Sequence, residues 1–168
     1  MKPRTHNEGE IKIMMFYTDF LPESHPSNTK QIFPNGMPES ITIHYTGEQY
    51  GQTPRVVRGW WQSQSNGVAA HFIIKDNVCL QVLPIHKTAY HCGNPVGNRT
   101  SLGIEVIPYD ASGIFSAQSR QTLKDLLSLF PPLPLVRHHD WNGKLCPKYY
   151  LDENKWKQLK LAITPDSW

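Results

Sequence analysis

Two stretches, "SITIHYT" at 40–46 and "SLGIEVIPY" at 101–109, restrict the fold of this 168-residue chain more than anything else in it. In the first, Ile41 and Ile43 alternate with Thr42, His44 and Thr46; in the second, Leu102, Ile104 and Val106 alternate with Glu105 and its neighbours. Side chains along a strand point alternately to opposite faces, so each stretch reads as a strand with one aliphatic and one polar face. The polar face presents His44 in one case and Glu105 in the other. A carboxylate in mid-strand is poorly placed unless it meets a cleft, a partner, or water at a sheet edge.

Helical patterns stand between such strands. Thr53 and Pro54 are cap and first-turn signals for a helix over 54–64, with Val56, Val57, Trp60 and Trp61 as its apolar stripe. Ser116 caps a helix in 116–130 that turns Leu123, Leu126, Leu127 and Phe130 inward. A last helix over 152–163 buries Trp156, Leu159 and Ile163. "AHFIIKDNVCLQVLP" reads as two strands around Asp76-Asn77, and "IKIMMFY" at 11–17 as another. Residues 1–10 read as a loose polar tail, and residues 18–40, with four prolines, as a long ordered loop. Interleaved strands and helices give a single α/β domain, a mixed central β-sheet flanked by helices.

Composition narrows the function. Apolar residues at 39% and charged residues at 18% fit a globular protein. A net charge of +3 with no Lys/Arg block excludes a nucleic-acid footprint. No apolar run approaches 18 residues, so no membrane insertion is expected. The N-terminus shows no export signal, which implies synthesis in the cytoplasm. The three cysteines, Cys79, Cys92 and Cys146, form neither a CxxC pair nor a disulfide framework.

The densest chemistry lies in "VRHHDWNGKLCP", 136–147. Zinc favours nitrogen and sulfur ligands, and a catalytic zinc site has three protein ligands with one position open. His44, one of His138 and His139, and Cys146 could supply them. Neighbours in an extended segment point to opposite sides, so only one of the two histidines is expected to be a ligand. Beside a metal, Glu105 could accept a proton and Lys144 could stabilise an oxyanion. A polar surface loop with a solvated lysine is the competing reading.

Five segments, "ITIHYTG", "AAHFIIKDN", "TAYHCGNP", "NRTSLGIEV" and "RHHDWNGKLCP", together make a resemblance. Their order resembles that of the zinc-dependent N-acetylmuramoyl-L-alanine amidases, which share a fold with peptidoglycan recognition proteins and phage lysozyme-type amidases. The likeness is to the phage and prophage endolysin branch and covers about residues 40–150. It implies a catalytic domain over 40–164 preceded by an N-terminal extension of residues 1–39, with no C-terminal wall-binding module.

The resemblance also implies residue roles. Zinc would be bound by His44, His138 and Cys146, with Glu105 and Lys144 catalytic. His71 and His91 match family positions near the substrate groove, as substrate contacts or supports rather than ligands. His139 would line or support the site. Some relatives use a tyrosine where this chain has Ala70, so the chemistry must lean on Glu105. The implied reaction is hydrolysis of the amide between N-acetylmuramic acid and L-alanine in peptidoglycan, by a monomer acting at the cell wall after holin-type release. The alternative is a non-catalytic peptidoglycan-binding protein on the same fold, but such proteins typically lack the cysteine ligand.

Overall fold

The computed structural model describes residues 10–28 and 31–168; the polar tail expected over 1–10 lies outside these except for Glu10. Among the described residues six strands form one sheet. They are β1 (Met15–Thr18), β2 (Ser40–Tyr45), β3 (Phe72–Lys75), β4 (Val78–Gln81), β5 (Ser101–Val106) and β6 (Leu135–Arg137). Their spatial order is β1-β4-β3-β5-β2-β6. Only the β3–β4 hairpin is antiparallel; the other neighbours run parallel, so the sheet is mixed as expected.

The alternation in β2 and β5 sorts the molecule into two layers. Ile41, Ile43, Leu102, Ile104 and Val106 join Phe72 and Ile74 in a core beneath α3 (Ala117–Leu127) and α5 (Glu153–Ile163). Leu123, Leu126, Leu127 and Phe130 fill it from α3 and its end, and Trp156, Leu159 and Ile163 from α5, as the sequence pattern requires. The opposite face carries Ile73 and Leu80 against Val57 and Trp61 of α1 (Pro54–Ser63). On this same face β2 and β5 present Thr42, His44, Gly103 and Glu105, and the functional site forms there.

Both long helices begin where expected: Ser116 accepts from the Ser119 amide and Asp152 from that of Lys155. The expected stripe of α1 is narrower. Val57 and Trp61 are buried, but Val56 and Trp60 stay about half exposed, because one short helix covers only part of this sheet face. Three short elements break into segments the sequence pattern leaves as loop: α2 (Pro95–Thr100), β6 and α4 (His138–Asn142). The described part of the N-terminal extension belongs to the same body. There β1 pairs with β4, and Leu21 and Phe33 are fully buried. No helix among the described residues is long and apolar enough to cross a membrane.

Candidate metal centre and active site

His44 leaves the α1-side face near the C-terminal end of β2, paired with Glu105 of β5 and one residue beyond the last pair with β6. His138 follows directly on β6 as the first residue of α4. The expectation that His138 and His139 diverge because the segment is extended is therefore corrected. They diverge as successive residues of a helix, about 100° apart around its axis. His138 turns inward, while His139 donates through Nδ1 to the carbonyl of Lys144 at 3.1 Å. Its amide also bonds the Cys146 carbonyl at 2.9 Å. Gly143, at φ 78°, ends α4 in the left-handed region, and the chain folds back to bring Cys146 to the site.

The turn is anchored from below. Arg137, whose side chain is 8% exposed, pairs with Asp140 and with Glu153 at 2.8 Å each. It also donates to the carbonyls of Tyr150 and Leu151. Asp140 accepts from the Arg137 amide at 2.7 Å, closing a capping box at the start of α4. Trp141 reaches across to donate to Thr42 Oγ1 at 2.9 Å. The sequence pattern did not single out Arg137; its charge is legible there, but not its partners, since Glu153 stands on another element.

His44, His138 and Cys146 offer ligand atoms that all lie within 4.8 Å of one another, and all three residues are buried. The two Nδ1 atoms are 3.0 Å apart, and Cys146 Sγ is 3.9 Å from His44 Nδ1. Tetrahedral zinc with Zn–N near 2.0–2.1 Å and Zn–S near 2.3 Å sets neighbouring ligand atoms about 3.3–3.6 Å apart, and the two separations straddle that range. Burial lowers the pKa of His44 well below its ordinary value and that of His138 to about 4, so both stay neutral and able to donate lone pairs. Burial, assisted by Glu105, pushes the Cys146 thiol up to about 12. Only a cation close to the sulfur would favour the thiolate. The donor set thus fits a divalent, zinc-like ion.

Glu105 shares the site face, and its Oε2 is buried without a hydrogen-bond partner among the described residues. Burial raises its carboxyl to about 7, and the nearby charge of Lys144 opposes the rise. A cavity of about 520 Å³ opens over these groups. Its wall carries His91, Glu105, His138, Lys144 and Cys146 on one side, with Val57, Trp60 and Trp61 of α1 on the other. The reading of Glu105 as a water-facing edge residue is excluded, because β5 is interior to the sheet, between β3 and β2.

The two remaining histidines occupy different positions. His91 reaches the cavity wall, 5% exposed, and bonds His44 Nε2 through its Nδ1 at 2.9 Å. His71 has no exposed surface, so of its two expected places it takes that of a support and not of a substrate contact. It accepts from the Gly103 amide at 3.0 Å and donates to the Lys87 carbonyl at 2.8 Å, behind the site.

Known proteins resemble this chain in sequence and in fold. The family described as N-acetylmuramoyl-L-alanine amidase matches residues 34–149, more than half of the chain. The amidase CwlA of Bacillus subtilis (strain 168) is 33% identical over 140 residues, 77% of this chain and 51% of that relative. A solved mutant endolysin from Bacillus subtilis superposes with a TM-score of 0.74 at 25% identity, over 90% of this chain and 99% of the other. The catalytic domain of XlyA does so with a TM-score of 0.72 at 27% identity, over 89% and 99%. The chain spans about half the length of the curated relatives it matches. Its sheet, its site-bearing face and these likenesses agree: the chain belongs to the N-acetylmuramoyl-L-alanine amidase family.

Proposed function

We propose that this chain hydrolyses the amide between N-acetylmuramic acid and L-alanine in peptidoglycan, with zinc held by His44, His138 and Cys146. One observation carries the reading: two imidazoles and a thiol converge in the same cavity as a buried, unpartnered carboxylate and a lysine. The family supports the choice of substrate.

Zinc in such a three-ligand site supplies a Lewis acid that lowers the pKa of water and polarises a carbonyl oxygen. Glu105 accepts the proton of the attacking water and hands it to the departing amine. Burial disfavours its charged form, which suits a carboxyl that must carry a proton between the two steps. Lys144, on the cavity wall, places an ammonium group where negative charge grows on the carbonyl oxygen. On the α1 wall the half-exposed Trp60 offers aromatic surface for the substrate beyond the reacting bond. Action at the cell wall follows from this substrate, and release through a holin-type pore is the route we propose for reaching it.

A non-catalytic receptor on the same fold would need neither Glu105 nor a complete donor set. Digestion of purified Gram-positive walls separates the two readings. The hydrolase releases new L-alanine amino termini and no new reducing sugar ends; retention on walls of both lysine and diaminopimelate type without release would favour the receptor.

A further inference from the structure

His44 carries two ring nitrogens with different surroundings. Nδ1 faces His138 Nδ1 at 3.0 Å and Cys146 Sγ at 3.9 Å. Nε2 points the other way, 2.9 Å from Nδ1 of His91. His91 in turn sets its own Nε2 2.9 Å from the backbone carbonyl of Ser101. A carbonyl oxygen can only accept, so His91 Nε2 carries the hydrogen. The Nδ1 of that neutral ring is then a lone pair, which can only accept from His44 Nε2–H. His44 is left with its lone pair on Nδ1, among the ligand atoms.

We infer that His91 is a positioning residue that selects the metal-ready tautomer of His44, passing the fixed polarity of the Ser101 carbonyl through two imidazole rings. His138 differs: its Nε2 lies 3.3 Å from the Asn142 amide nitrogen, a donor that also bonds the Cys92 carbonyl. The Nδ1 atoms of His44 and His138 stand 3.0 Å apart, so the lone pair selected on His44 faces the second candidate ligand. Metal-binding histidines are commonly oriented by an acceptor on their other nitrogen, and here that acceptor is itself an imidazole.

The surroundings hold the His91 ring to this geometry. Its amide donates to Asn98 Oδ1 at 3.0 Å, and its ring lies against the bare Cα of Gly103. A Cβ at Gly103 would stand 2.7 Å from His91 Cγ and 2.9 Å from its Nδ1, so only glycine lets the imidazole settle there. Gly103 also bonds His71, which closes the rear of the arrangement.

This inference rests on reading His44, His138 and Cys146 as metal ligands, and its test separates the two. Zinc affinity is measured by chelator competition for the wild type, His91→Phe, His91→Asn and Gly103→Ala. Ring ¹⁵N shifts of the metal-free wild type report which nitrogens of His44 and His91 carry hydrogen. The expected result is Nε2–H on both rings, with zinc affinity lowered about 10–100-fold in His91→Phe. Gly103→Ala changes affinity in the same direction. His91→Asn, whose Oδ1 can accept from His44, is expected to stay within a few-fold of the wild type. Hydrogen found on His91 Nδ1, or undiminished affinity in His91→Phe, overturns the inference while leaving the ligand set intact. A wild type that takes up no zinc overturns both. Should His91→Phe fail to fold, the wild-type shifts still decide.

Discussion

His44 and Glu105 are Cα partners across the parallel β2–β5 ladder, so their side chains leave the same face of the sheet side by side. The proposed ligand and the proposed base are thereby placed next to each other by two paired strands, with no loop between them. Sites carried on strands hold their geometry better than sites carried on loops.

Glu105→Gln keeps the shape and removes the proton acceptor. Wall hydrolysis is expected to fall by about 10²–10⁴-fold, with zinc content unchanged by metal analysis. Zinc lost along with activity would show that the carboxylate supports the metal rather than the proton transfer.

Lys144→Ala removes the only side-chain ammonium named among the residues lining the described cavity. If Lys144 faces the developing oxyanion, kcat should fall by about 10²-fold while KM changes little. A rise confined to KM would instead place the ammonium on the bound substrate.

Arg137 links the start of α4 to α5 through Asp140 and Glu153. Arg137→Ala leaves the exposed Asp140 without its cation and two carbonyls without that donor. A loss of about 2 kcal/mol in urea unfolding is expected, mainly from the two carbonyls, with weaker zinc binding because His138 is the next residue. A loss under 1 kcal/mol would mean that the turn is held elsewhere.

His71 is fully buried, and burial lowers its pKa from 6.5 to about 4. Below pH 6.5 the unfolded chain takes up a proton that the folded ring refuses, so stability falls with falling pH. The loss accumulates until about pH 4 and is constant below it; it amounts to about 3 kcal/mol. Unfolding of the wild type and His71→Gln at pH 7.5 and pH 4.5 checks this. The difference between the two proteins should shrink toward acid, and a difference independent of pH would refute it.

Much of this was legible in the sequence wherever a periodic pattern ran for five residues or more. The alternation of β2 and β5 placed His44 and Glu105 on a polar face; the cap at Ser116 and the spacing of Trp156, Leu159 and Ile163 marked the two helices that bury the other face. Strand β6 and helix α4, at three and five residues, are too short to show a period. The divergence of His138 and His139 was therefore expected for the wrong geometric reason. His91 was legible as a residue near the groove but not as a partner of His44. That contact depends on Gly103 and Ser101, which the β2–β5 pairing brings beneath a loop. Trp60 was read into the core because its helical spacing suits one, whereas it stands at the cavity beside the site.

The most direct measurement of the account is a zinc titration of the metal-free chain, with release of L-alanine amino termini from purified walls followed at each step. The account predicts no release without metal, a rise in proportion to zinc that ends at one ion per chain, and no release at any occupancy from Glu105→Gln. Release by the metal-free chain, or full zinc uptake without release from any wall type, would contradict it.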